Sequence, residues 1–416
     1  MGVYFMSVKA GIISIGDELM NGFTIDSNSS WIANQISMYS SVSVSSKVTV
    51  GDDSDSIKKE LNQLINDKFE YIFITGGLGP THDDITKRAL LEYFNCSLKI
   101  DQNHYKRIKN IFKNKGSQDL IHLKEQSEIL DISSPISNKY GTALGMSMKW
   151  CDSNIFIMPG VPREMKGMMQ HWIIPNFISN LHQKKINHIT ILTTGIYESK
   201  LSMLLKSILD ENLYCKVAFL PNYSGVKLRL SIDQDVDSDR LFELRNKIIP
   251  KIDKFIYGYD NDKMEVVVSE LLVQSSLSIS IAESCTGGYL SKLLTDVSGS
   301  SRYFKGSVIA YSNDIKRDVL EINSNILKEH GAVSEHVALE MAKSIKKIFK
   351  TDIGVSTTGI SGPGGGTIDK PVGLIYICVI YKDKQVVKKF NLPLNRLIHR
   401  EVAINVALNM IRLMIK

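Results

Sequence analysis

The chain has 416 residues, enough at about 150 per domain for two or three domains with sizeable cores. Its 43% apolar and 23% charged residues are ordinary for a globular protein and exclude a disordered or fibrous one. The formal net charge of +6 is too small and too dispersed to argue by itself for a nucleic-acid or membrane surface.

The longest apolar run, VGLIYICVIY at 372–381, is half of the roughly 20 residues that cross a bilayer. The N-terminus lacks a basic n-region and a small-residue cleavage site, so no signal peptide is expected. Cys96, Cys151, Cys215, Cys285 and Cys378 are odd in number, far apart and without a CxxC, which excludes a disulfide framework or zinc site. A cytoplasmic protein with no nucleic-acid or membrane partner is the expectation.

Three segments follow in chain order. In 1–172, short β-branched runs alternate with amphipathic stretches. VKAGIISI (8–15), KVTV (47–50), YIFIT (71–75) and NIFIM (154–158) read as strands. SNSSWIANQIS (27–37), SIKKELNQLIN (56–66), DDITKRALLEYF (83–94) and REMKGMMQHW (163–172) read as helices. Such alternation implies parallel βαβ units and a doubly wound α/β sheet. The segment 173–260 is a small α+β module with strands at 187–195, 216–221 and 225–233. It holds no GXXG loop with basic neighbours, as an RNA-binding KH module would need, so a spacer or docking role is expected. In 261–416 the α/β alternation restarts. SLSISIAES (276–284), YFKGSVIAYS (303–312), DIGVSTTG (352–359), VGLIYICVIY and QVVKKFNL read as strands, and a last helix starts near Asn395.

Three loops of the first segment leave the carboxyl ends of predicted parallel strands, so they can converge on one crevice. GGLGPTHDD places Gly76, Gly77 and Gly79 at a strand–helix junction, where backbone N–H groups suit an anion. No GK[ST] follows, so it is not a Walker A loop. Asp83 and Asp84 either cap the helix or hold a divalent cation that in turn holds phosphate oxygens. IGDELMNG offers Asp17 and Glu18, and MPGVP offers Pro159 and Gly160.

These motifs, with GDD (51–53), GTALG (141–145) and MPGVPREM, resemble the N-terminal domain of the CinA (competence/damage-inducible) family, which is similar to the molybdopterin-binding MogA/MoaB fold. The resemblance implies a metal-dependent ADP-ribose pyrophosphatase, with Asp17, Asp83 and Asp84 among its ligands.

In the last segment, IAESCTGG delivers Ser284 to a tight turn where Gly287 and Gly288 let a helix start. A nucleophile and an oxyanion hole can coexist there, although serine also simply caps helices. In YSNDIK, a cap at Ser312 makes Tyr311 and Lys316 the residues that pack together in a hydrophobic staple. Near a helix N-terminus the dipole disfavours the charge of Lys316, which suits a general base or a proton relay; the other reading is a lysine that extends into solvent. TTGISGPGGGT (357–367) forms a long glycine-rich loop able to approach a ligand closely. Arg396 and Arg400 share one face at the start of the last helix, either around an anion or as a solvated basic face. Cys285 is a rival nucleophile by chemistry and a small buried thiol by habit.

AESCTGG, TDVSGSSRYFKGSVIAYSNDIK, GAVSEHVA, TTGISGPGGGTIDKPVG and the final R-x-x-x-R resemble the C-terminal CinA domain, which is similar to the PncC amidases. The middle segment (TTGIYESKL, VAFLPNYSGVKLRLS) also follows the family. The resemblance implies hydrolysis of nicotinamide mononucleotide to nicotinate mononucleotide and ammonia, without a cofactor. Ser284, Tyr311 and Lys316 match the family's catalytic residues. Thr358 matches its substrate-binding threonine, and Arg400 or Arg396 its phosphate-binding arginine. Cys285, Thr286, Gly287, Gly359 and Gly362 complete the expected substrate contacts. A homodimer is implied as well. The other reading is a non-enzymatic binder of a pterin or nucleotide, acting in competence or damage response.

Overall fold

The computed structural model describes residues 8–39, 42–79, 85–114, 120–180, 188–232 and 236–416. Two compact units divide the chain, Met1–Ile186 and Asn187–Lys416.

The first unit is built on a six-stranded sheet in the order Val42–Val50, Val8–Ile15, Tyr71–Thr75, Ser153–Met158, Gly145–Trp150, Ser134–Ile136. Its first four strands run parallel, and the last two pairings are antiparallel. Tyr71–Thr75 is buried along its whole length because helices cover both faces of a doubly wound sheet. Alternate residues serve the two sides. Ile13, Ile72 and Ile74 pack with Leu61 and Leu90 from the helices Ser54–Asn66 and Thr86–Phe94. Ile12, Phe73 and Phe156 pack with Ile32 and Met165 from Ser27–Ile36 and Pro162–Met168.

The sequence reading differs from the structure in three places here, and a fourth expectation falls partly outside the described residues. The second strand begins at Val42 and not at Lys47. The sheet is mixed, because a tight turn at Cys151 returns Ser153–Met158 alongside Gly145–Trp150. The helix expected to start at Asp83 is described only from Thr86, and Asp83 and Asp84 lie outside the described residues. The helix expected to end at Trp172 passes at Met169 into wider π-type turns and runs to Ile178. There the Ser179 amide donates to Ile174 O, five residues back.

The second unit contains two sheets. Cys215–Asn222, Gly225–Ile232, His188–Thr193 and Ile256–Tyr259 form an antiparallel sheet in that order. Gly225–Ile232 alternates buried and outward residues, as a sheet covered on one face requires. The helices Glu198–Asp210 and Ser238–Ile252 supply that cover through Leu201, Leu205, Leu244 and Ile248.

The second sheet runs Phe304–Ile309, Ile279–Glu283, Ile353–Gly359, Leu374–Tyr381, Lys384–Asn391, with three parallel strands and then two antiparallel ones. Glu335–Phe349 covers one face through Val337, Met341 and Ile345. Met264–Gln274 and Arg396–Ile415 cover the other through Val268, Leu272, Ala403, Ala407 and Ile411. Ile279–Glu283 and Ile353–Gly359 are adjacent parallel strands, so their carboxyl ends open side by side. No helix among the described residues is long and apolar enough to cross a membrane.

Candidate active site

Ser284 follows directly on the strand Ile279–Glu283, and its amide donates to Thr357 O at 3.0 Å on the neighbouring strand. The turn after it needs glycine. Gly287 and Gly288 hold φ of +59° and +88°, and a Cβ on Gly287 would lie 3.2 Å from Arg400 Nη2. The helix Tyr289–Thr295 then begins.

Ser312 caps the helix Asn313–Asp318, its side chain accepting from the Ile315 amide. That turn aims Lys316 inward. Lys316 is 1% exposed, and its Nζ lies 3.1 Å from Ser284 Oγ while donating to Ala310 O at 2.6 Å. Burial holds its ammonium below the ordinary value, which makes the neutral amine accessible. The sequence reading assigned that lowering to the helix dipole. The structure assigns it to loss of water around the side chain.

Tyr311 is placed differently from the staple expectation. It is 60% exposed, and its hydroxyl accepts from Arg396 Nη2 at 2.8 Å. Among the described residues no hydrogen bond joins it to Lys316. A lysine that turns into the core and a phenol that stays in solvent leave the cap in opposite directions.

The remaining expected residues lie on the loop after Ser284, on the strand beside it, in the glycine-rich loop and at the start of the last helix. Arg396 Nη1 donates to Gly362 O at 2.9 Å. Arg400 donates to Thr286 O from Nε at 3.2 Å and from Nη2 at 2.6 Å. Both guanidinium groups are therefore anchored to carbonyls of the two glycine loops. The Thr286 hydroxyl shares a 2.7 Å hydrogen bond with that of Thr357. Thr358 is fully buried and donates to Ala332 O at 2.7 Å, so its hydroxyl is committed to the protein. Gly359 has no room for a side chain, because a Cβ would lie 2.6 Å from Leu374 O. Cys285 is buried, and burial pushes its thiol up to about 12, far from a thiolate at neutral pH.

Glu283 is the residue that motif reading missed. It is fully buried and accepts from the amides of Gly288, Leu290 and Ser291 and from Ser291 Oγ. The carboxylate thus consumes the N-terminal donors of the helix Tyr289–Thr295 that would otherwise bind an anion. Gly287 N is also used, donating to Ser284 O. Among the described residues the Thr286 amide makes no hydrogen bond and the Cys285 amide meets only its own sulfur, so these two donors remain available to an acceptor. The signal was present in the sequence: a lone carboxylate ends an otherwise apolar strand.

Glu283→Gln is expected to cost about 3 kcal/mol of stability, since one amide oxygen replaces two acceptor oxygens and its NH2 faces other donors. A urea titration of variant and parent checks this. An unchanged midpoint would remove Glu283 from the account of the turn.

In the first unit, the loops expected to converge do so around a cavity of about 510 Å³. Glu18, Gly76, Gly77, Gly79, Pro159 and Gly160 line it. Gly76 is required there, because at its φ of +115° a Cβ would lie 2.1 Å from Ile15 O. Asp17 does not line the cavity. Its Oδ1 accepts from the Asp52 amide at 3.1 Å, and its own amide donates to Asp52 Oδ2 at 2.9 Å. Asp52 and Glu164, which the motifs contained but the sequence reading did not single out, are the further carboxylates in the wall. Among the described residues no group of three His, Cys, Asp or Glu side chains is close enough to hold a metal.

Residues 261–415 match the family model described as the CinA C-terminal domain, and residues 11–178 match that of a probable molybdopterin binding domain. A CinA-like protein of Cytophaga hutchinsonii is 37% identical over 98% of this chain and 98% of that protein. One of Thermotoga maritima is 35% identical, again over 98% of each. Among solved structures, the competence/damage inducible protein CihA of Agrobacterium tumefaciens is 30% identical, covering 37% of this chain and 98% of that one, at a TM-score of 0.36.

Proposed function

This chain belongs to the CinA family, and from that premise we propose that its C-terminal domain is a serine amidase acting on nicotinamide mononucleotide. The observation that carries the reading is the 3.1 Å approach of the buried Lys316 Nζ to Ser284 Oγ. A neutral amine at that distance can accept the serine proton. Ala310 O fixes the amine, and Ala310 N donates to Glu283 O at 2.7 Å, which ties the lysine's anchor to the strand that carries the serine.

In the proposed reaction Ser284 Oγ attacks the carboxamide carbon and its proton passes to Lys316. The carbonyl oxygen becomes an oxyanion facing the Cys285 and Thr286 amides. Collapse breaks the C–N bond, Lys316 returns the proton to the leaving nitrogen, and ammonia departs. Water, deprotonated by Lys316, then cleaves the ester, restoring Ser284 and releasing nicotinate mononucleotide. Arg396 and Arg400 bind the phosphate through guanidinium N–H groups not used on the loop carbonyls. Tyr311 accepts a hydrogen bond from Arg396 and so orients it.

A second activity is favoured by the cavity of the first unit. We assign it a diphosphate-bearing nucleotide, ADP-ribose, cleaved to AMP and ribose 5-phosphate. The carboxylates of Glu18 and Asp52 are hard oxygen donors of the kind magnesium or manganese takes, and they would hold the cation. A divalent ion there would neutralise diphosphate oxygens and make phosphorus more electrophilic. The amides of Gly77, Leu78 and Gly79 carry no recorded hydrogen bond among the described residues and offer donors to the same phosphates. Asp83 and Asp84, proposed with Asp17 from the sequence, lie outside the described residues.

The two proposed sites differ in how they respond to a chelator. EDTA is expected to abolish release of AMP from ADP-ribose and to leave ammonia release from nicotinamide mononucleotide unchanged. Parallel assays on one preparation check this. Ammonia release that falls with AMP release would contradict the serine–lysine chemistry.

A further inference from the structure

A second cavity, of about 720 Å³, lies within the Asn187–Lys416 unit and takes no part in the chemistry above. Its volume is within the roughly 300–1,000 Å³ of small-molecule sites. Ile196, Val226, Phe390, Val406 and Met410 give it an apolar wall. Its charged lining is Lys254 and Lys388 against one acid, Glu198.

Behind that wall sits a buried cation. Arg412 is fully buried and donates to Asn409 Oδ1, Ile256 O and Lys254 O at 2.8–3.0 Å. All of these acceptors are neutral, and among the described residues Arg412 makes no ion pair. Its charge is met only at longer range, by the Asp253 carboxylate, so part of it reaches the cavity. Asn409 lines the cavity, and the guanidinium occupies its oxygen. Its Nδ2, which would lie 3.7 Å from a Cβ on the cavity-lining Gly195, is left as a donor polarised by the neighbouring cation.

We propose that this cavity binds a small amphipathic anion, an apolar or aromatic body ending in a carboxylate, sulfonate or phosphate. The apolar wall takes the body, and Lys254, Lys388 and Asn409 meet the anionic end. The inference is independent of the amidase reading.

The test is fluorescence titration of the full chain with anilinonaphthalene sulfonate, an aromatic anion of that class. Saturable enhancement at one equivalent is expected. Lys388→Glu, at an exposed strand position, is expected to weaken it about tenfold with the melting transition retained. Val406→Trp, which fills the apolar end, is expected to abolish it. Absence of saturable enhancement would overturn the proposal, as would both folded variants binding like the parent. Enhancement that tracks self-association of the chain would assign the surface to a second copy instead, and would also overturn it.

Discussion

Ser284→Ala is expected to abolish ammonia release, lowering kcat by roughly 10⁴-fold or more, while the melting temperature stays within a few degrees of the parent. The change removes one hydroxyl whose recorded side-chain partner is Lys316, so little packing is lost. Removing an attacking atom has no substitute nearby. The adjacent Cys285 is buried with its thiol pushed up to about 12, and cannot replace the serine as nucleophile at neutral pH. Turnover by the variant at the parent rate would refute the assignment of Ser284, whatever the substrate. Coupled ammonia detection under substrate saturation makes the comparison.

Lys316→Met carries the second large effect. Methionine fills a similar volume without an amine, so the proton acceptor vanishes and kcat is expected to fall about 10³-fold. Stability is expected to move by no more than about 1 kcal/mol, since the lost bond to Ala310 O is offset by relief of a buried cation. The pH dependence has a definite sign. Burial lowers the lysine's pKa in the folded chain, so the reactive amine gains population, and kcat/KM should rise with pH through that lowered value and then level. Stability follows the same direction. The unfolded chain binds the extra proton between the lowered pKa and the ordinary value of 10.5, so this group's contribution improves with rising pH across that window and is least favourable below it. Lys316→Met should lose both dependences. A pH–rate profile of the parent that falls over that window, or a variant with parental kcat, would contradict the role.

Much of this was legible in the sequence because long periodic elements and glycine junctions are local signals. The strand Val8–Ile15 and the strand Tyr71–Thr75 fall where apolar patterning places them. The cap at Ser312 was read from a residue type that satisfies orphan amides, and the last helix was placed from about Asn395, its observed cap. What escaped depends on contacts between distant segments. The Ser134–Ile136 strand has three residues and exists only as a partner to Gly145–Trp150. The Tyr311 hydroxyl binds Arg396, 85 positions away, and no spacing within YSNDIK could indicate that. The burial of Arg412 has no local signal either, because two of its three acceptors, Ile256 O and Lys254 O, are backbone atoms of a distant strand and turn.

Glu283 shows the same limit from the other side. Its position in the motif was visible, but its work is done by four donors that only the folded helix start brings to it. With those donors committed, the oxyanion site narrows to the Cys285 and Thr286 amides. A loop that looked generally rich in N–H groups becomes a specific pair.

The central claim is that the serine–lysine pair hydrolyses an amide of a phosphorylated nucleoside. Incubation of the unmodified chain with nicotinamide mononucleotide in EDTA, with ammonia and nicotinate mononucleotide quantified together, tests it most directly. Equal amounts of both products, absent with Ser284→Ala, are the predicted result. A folded chain that releases neither product would contradict it.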